Sequence, residues 1–166
     1  GGRLVGSGGR LRAGVLGVND GLVSNFSLVM GVTGGTHDVS IVLLAGVAGL
    51  LAGAFSMAAG EYVSMRSQRD IYEFELEKEA EELREWPEEE EEELVLIYQA
   101  KGLSRQESEG IAKRVMADST VALDTMAREE LGLDPSDLGS PWGAAASSFS
   151  AFVVGAGLPL LPYIFR

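Results

Sequence analysis

Carboxylates in unusual settings are the residues of this sequence best able to do chemistry. Asp20 lies in the middle of an apolar stretch, AGVLGVNDGLVSNFSLVMGVT. An aspartate at mid-membrane depth costs ~2.5–3.5 kcal/mol to insert, so it marks function by default rather than packing. Further along, Glu75, Glu79 and Glu82 recur with Tyr72 at three- and four-residue steps and share one helical face. Six consecutive glutamates follow at 88–93, and Met126 stands four residues before Glu130. Carboxylates that folding gathers repel one another unless cations lie between them. Oxygen donors suit Mg, Ca, Mn and Fe(II), whereas a thioether such as that of Met126 favours a softer transition ion. The pattern points to cation binding without choosing the cation. Taken alone, the run 88–93 is most simply a solvated helix face. Apolar residues recur through both flanking helices, however, which favours a folded segment.

Elements must hold these groups. Three stretches reach the ~20 apolar residues that a membrane-spanning helix needs: about 11–33, 39–65 and 142–165. The second is uncharged until Glu61, which disfavours buried helices of a water-soluble protein. Asp20 argues against a cleavable signal peptide in the first. Gly46, Gly49, Gly53, Met57 and Glu61 fall on one face of the second span, and Gly17 and Gly21 form a G-x-x-x-G spacing beside the polar stripe of Asp20, Ser24 and Ser27. Small residues so placed let helices pack closely in lipid. The second span is expected to run on as one helix to Glu85, broken by Trp86-Pro87, with Pro87 in the first turn of the next helix. That helix stops at Gly102. Ser104 and Glu107 form a capping box for another, and an amphipathic helix over about 119–131 ends at Gly132. Asp134-Pro135-Ser136 and Ser140-Pro141 link back to the third span. The expected organisation is 1–65 with two spans, 66–139 as an acidic helical domain, and 140–166 with a third span.

Charge is segregated accordingly. The 166 residues carry 25 acids and 13 bases, and 66–139 holds 22 of the acids but 9 of the bases, a local net charge of −13. Such acidity repels phosphate backbones and excludes nucleic acid as a reasonable partner. The absence of cysteine excludes disulfides and thiolate chemistry, and the single His37 leaves no second histidine for a paired His metal motif. Arg3, Arg10 and Arg12 precede the first span and Arg66 and Arg69 follow the second, while loop 34–38 has no Lys or Arg. The positive-inside rule then places the N-terminus and the acidic domain in the cytoplasm. Ser104 and His37 fall on opposite sides of the membrane in that topology, so no Ser-His nucleophile pair forms and an enzyme is the weakest reading.

The strings LGVNDGLVSNFSLVMGVTG, AGAFSMAAGEYVS, ELGLDP and LPLLPYIF, with the Glu-rich helices between them, resemble the vacuolar iron transporter family in its bacterial branch. The resemblance covers essentially the whole chain. It implies an all-α, multi-pass membrane protein of five transmembrane helices, of which this chain reads as a fragment lacking the last two. It further implies a homodimer with the ion path between subunits, exchange of cytosolic Fe2+ or Mn2+ for protons, and no prosthetic group. The membrane would be the cytoplasmic one in a bacterium and the vacuolar or another endomembrane in a eukaryote.

Carried across by motif, the resemblance assigns Asp20 and Met57 to the transport path. It assigns Glu79, Glu82, Glu90, Glu93, Met126 and Glu130 to metal ligation, leaving the other four glutamates of the run solvated. Three positions depart from the plant-type pattern: Gly49 replaces a path glutamate, Ala127 a second methionine and Phe152 a path tyrosine. Glu61, one turn after Met57, either stands in for the glutamate at Gly49 or marks the cytoplasmic mouth, the second being preferred. On this reading one carboxyl, Asp20, holds a proton or a cation in turn, which is the minimum antiport requires. The alternatives are a membrane-anchored metal sink or sensor through which nothing passes, and a structural dimerisation module whose glutamates only solvate it.

Overall fold

The computed structural model describes the backbone of residues 3–133 and 139–165, and side chains within 14–133 and 139–165. The linker Asp134-Pro135-Ser136 and the side chains of Arg3, Arg10 and Arg12 lie outside the described residues. All regular structure among the described residues is helical: α1 Arg3–Gly35, α2 Val39–Glu85, α3 Pro87–Ala100, α4 Arg105–Met116, α5 Ser119–Glu129, α6 Pro141–Gly157, a 3-10 turn Leu158–Leu160, and α7 Leu161–Ile164. The fold class is all-α. Three stretches, Gly14–Gly35, Val39–Glu85 and Pro141–Ile164, are long and apolar enough to cross a membrane. The chain forms two compact units, Gly1–Arg66 with Gly139–Arg166, and Ser67–Leu138.

In the first unit, α1 and α6 approach until backbone meets backbone. A Cβ on Gly21 would collide with the carbonyl oxygen of Phe152, and one on Gly155 with that of Val18. Only glycine permits this contact, and the close approach supplies the dispersion attraction that replaces hydrophobic drive in lipid. Side chains then fill the space around α2. Val29, Val42 and Leu160 pack together, as do Ala54, Phe152 and Ala156. Much of the outer surface stays apolar, with Leu44, Phe55 and Val154 exposed, as a lipid-facing surface requires. Where the apolar part of α2 ends, the rings of Tyr62 and Trp142 meet at 4.8 Å, a pairing suited to a membrane interface.

These glycines yield a prediction. Gly155→Ala should lower the thermal midpoint of the detergent-solubilised chain by the equivalent of about 1–3 kcal/mol, the usual cost of overpacking. Gly157→Ala should not, because nothing lies within 4 Å of its Cβ position. Circular dichroism melts of the two variants provide the comparison.

The third span is a continuous α-helix only to Gly157. Pro159 lacks an N–H and its ring crowds the carbonyl of the preceding turn, so the path tightens into the 3-10 turn Leu158–Leu160 before α7.

In the second unit, local chemistry sets the helix ends. Pro87 opens α3. Gly102 takes the positive φ of 99° that ends the following turn. Ser104 and Glu107 form the reciprocal box at the start of α4: the Glu107 carboxylate accepts from the Ser104 N–H at 2.9 Å and the Ser104 hydroxyl accepts from the Glu107 N–H. Asp118, one residue before the expected start, caps α5 by accepting from the Thr120 N–H at 2.9 Å. The core between these helices is Leu94, Val95, Ala112 and Met126. Around its rim, Arg105 grips Glu92 through both guanidinium nitrogens at 2.8 and 2.7 Å, and Lys101 pairs with Glu129.

Candidate functional site

Two places in the molecule gather chemically capable side chains. In the first unit, a cavity of about 370 Å³ is lined by Asp20, Ser24, Asn25 and Leu28 of α1, Gly49, Gly53, Ser56 and Met57 of α2, and Phe152 of α6. The arrangement follows from helix periodicity. Asp20, Ser24 and Leu28 stand one turn apart on α1, and Gly49, Gly53 and Met57 one turn apart on α2. The two glycines let neighbouring side chains press against α2, since a Cβ on Gly49 would run into Leu28 and one on Gly53 into the Phe152 ring. Ser24 donates to the backbone carbonyl of Asp20, and its hydroxyl also lies 3.4 Å from an Asp20 carboxylate oxygen. A carboxylate and a thioether therefore face one cavity among three membrane-length helices. Glu61 is half-buried and does not line it.

Asn25 is the residue that sequence reasoning passes over as a mere interruption of the span. It is 2% exposed. Its Nδ2 donates to the carbonyl of Ala156 at 2.6 Å, while its Oδ1 has no partner. A buried acceptor left unsatisfied costs about 1–3 kcal/mol. The only signal in sequence is an amide inside an apolar run.

In the second unit, Glu79 of α2, Glu90 of α3 and Glu130 just past α5 each bring a carboxylate oxygen within 4.8 Å of the others. Glu79 and Glu90 are buried, and each has one oxygen with no hydrogen-bond partner. Burial first, then the charges of Glu130, Glu90, Glu82 and Glu93, push the Glu79 carboxyl up to about 7. Glu90 is raised by burial, then by Glu130, Glu93 and Glu82, and Glu130 by burial, then by Glu93 and Glu82. Each shift expresses the same deficit, negative charge held near negative charge out of water. Three converging carboxylates, two of them buried with an unpaired oxygen each, fit a hard or borderline divalent cation.

The remaining expected ligands stand at the edge of this group or behind it. Glu82 and Glu93 contribute charge but no oxygen to the convergent trio. Met126 is completely buried in the core with Leu94, Val95 and Ala112. Within the glutamate run, Glu90 alone is buried, and Glu92 is held by Arg105 rather than left to solvent.

Lys78 went unnoticed in the sequence although it sits where a cation would compete. Its ammonium lies 3.1 Å from a Glu82 oxygen and also feels Glu75 and Glu130. Lys78→Met should therefore tighten Mn2+ binding to the whole chain about two- to fivefold, the range that an exposed ion pair supports, as read by calorimetry.

The chain is similar to known proteins. Residues 11–166 match the model of the VIT family. The chain is 42% identical to a protein named vacuolar iron transporter from Acanthamoeba castellanii over 95% of its own length, and 38% identical to vacuolar iron transporter 1 of Arabidopsis thaliana over 90%. A shorter match, 55% identical over 73 residues, is to vacuolar iron transporter homolog 2 of Arabidopsis thaliana. The chain spans 56% of the first of these relatives and 60% of the second.

Proposed function

This chain belongs to the VIT family, and from that premise we propose that it is the part of a divalent-cation transporter that collects cytosolic Fe2+, with Mn2+ as a second substrate, and exchanges it for protons across a membrane. The observation that carries the proposal is the cavity that Asp20 and Met57 share among three helices of membrane-spanning length. Asp20 is the only carboxylate among the described residues lining that cavity, so it is the group on which a proton and a cation would alternate. Met57 adds a polarizable donor that transition ions accept more readily than Mg2+ or Ca2+ do. The trio Glu79, Glu90 and Glu130 supplies a place where cations lose part of their hydration, with Glu82 and Glu93 adding negative field around it.

The names of the relatives support iron as the substrate. Proton exchange, the direction of transport, a homodimer and a cytoplasmic acidic unit belong to the proposal. Proton exchange rests on the chemistry of Asp20, the cytoplasmic acidic unit on the distribution of Lys and Arg around the spans, and the direction and the homodimer on the family resemblance alone. A transporter needs no covalent catalysis, and the chain is proposed to be no enzyme.

Reconstitution of the whole chain in vesicles tests this reading. Internal Fe2+ or Mn2+ is followed with a quenched indicator while a second dye reports internal pH. Saturable cation flux that moves protons in the opposite sense supports antiport. Saturable binding with neither flux nor a pH change sinks it in favour of a membrane-anchored metal sink.

A further inference from the structure

We propose that Asn25 Oδ1, which has no hydrogen-bond partner, is a neutral oxygen ligand for the cation in the Asp20–Met57 cavity, beside Gly49 of α2. The inference rests on the reading of that cavity as a cation site.

The geometry fixes which amide atom faces the cation. A carbonyl only accepts, so the Ala156 carbonyl selects the NH2 end of the Asn25 side chain, 2.6 Å away. The oxygen end is then turned away from that carbonyl, toward α2. A Cβ built on Gly49 would meet the Leu28 side chain first and would lie 3.0 Å from Oδ1, so any residue larger than glycine would displace Leu28 and crowd the oxygen. Asn25 and Gly49 both line the cavity, and Asn25 itself is 2% exposed. Its oxygen is thus buried, oriented by its own amide, unpaired and aimed into a space that also holds a carboxylate and a thioether.

A carbonyl oxygen replaces a hydration water without adding charge. It therefore contributes most to ions that hold their oxygen shell tightly, such as Mn2+, and least to a soft ion such as Cd2+, for which the Met57 sulfur dominates. Asn25 would set preference between cation classes, whereas Asp20 would set whether any dication enters. A hydrogen bond that merely ties α1 to α6 predicts no such distinction.

The test uses the whole chain in detergent with Glu79→Gln, Glu90→Gln and Glu130→Gln silencing the other cluster. Mn2+ and Cd2+ binding are measured by calorimetry, and the cavity site is identified as the binding lost on Asp20→Asn. Asn25→Ala should weaken Mn2+ by about tenfold or more, the scale on which even groups supporting a metal ligand matter, and Cd2+ by less than about threefold. Asn25→Asp, which keeps an oxygen in place, should restore Mn2+ binding. Gly49→Ala should reproduce the loss by crowding the oxygen.

Equal weakening of both ions by Asn25→Ala with a lowered melting temperature would overturn the proposal in favour of a structural role. Unchanged Mn2+ affinity, or no saturable binding that depends on Asp20, would overturn it outright. Normal Asn25-dependent binding in a chain that moves no cation across vesicles would instead remove the transport reading and leave this ligand in place.

Discussion

Asp20→Asn is expected to reduce proton-coupled cation flux by about a hundredfold while leaving the fold and the acidic cluster intact. The substitution preserves size and shape, and Ser24 donates to the backbone carbonyl of residue 20, which remains. What disappears is the only negative charge among the described residues lining the cavity. A dication among neutral donors lacks compensation, and a charge at mid-membrane depth costs ~2.5–3.5 kcal/mol. At about 1.4 kcal/mol per tenfold, that is about two orders of magnitude in occupancy. The amide also has no proton to exchange, so residual flux should no longer move internal pH. Vesicle uptake with paired cation and pH dyes measures both effects, and calorimetry on the same variant should still find cation binding at Glu79, Glu90 and Glu130. Flux undiminished by the substitution would remove Asp20 from the mechanism.

Met57 tests the second half of that chemistry. Its side chain is half-buried, close to where a Cβ on Gly17 would sit. A Met57→Leu change keeps volume and loses sulfur, so it should spare stability while shifting preference away from soft ions. The contrast with Asp20 separates a charge requirement from a preference for donor type.

The helix ends and the site were not equally legible in sequence. The break at Trp86-Pro87, the Ser104–Glu107 box and the stops at Gly102 and Gly132 are local devices, decided within a few residues, and the structure carries each of them. The glycine face of α2 was legible as a packing face because helical periodicity alone places it. The role of Asn25 was not, since the carbonyl that orients it is 131 residues away in sequence. The acidic cluster is an intermediate case. Periodicity puts Glu79 and Glu82 on one face of α2 but does not say which of them turns inward, and that depends on where α3 and the end of α5 pack. Tertiary packing selects Glu79, Glu90 and Glu130, while Glu82 pairs with Lys78 one turn away on its own helix. Met126 shows the same limit: a thioether four residues from a glutamate is a plausible donor by spacing, yet its side chain fills the core with Leu94 and Val95.

Cation-free chain is expected to be more stable at pH 5 than at pH 8, with divalent cations reversing that order. The sign follows from Glu79, whose carboxyl is raised from 4.5 to about 7 by burial and by Glu130, Glu90, Glu82 and Glu93. A carboxyl that binds its proton more tightly in the folded state contributes stability below its unfolded value, and loses that contribution as pH rises through its folded value. The window is therefore about pH 4.5 to 7, and the shift corresponds to about 3–4 kcal/mol at most. Glu90 and Glu130 are raised in the same direction and deepen the effect. Glu79→Gln removes the charge without removing the shape, so it should raise the melting temperature of the cation-free chain at pH 8 by several degrees and flatten its pH dependence. It should also forfeit the stabilisation by cation, which for the unaltered chain reaches about 2.7 kcal/mol at a hundred times the dissociation constant. Melts of both chains at pH 5 and pH 8, with chelator and with Mn2+, separate the outcomes. A destabilising Glu79→Gln change at pH 8 without cation would mean that the carboxylate makes a stabilising contact, and that the three acids meet for a reason other than a cation between them.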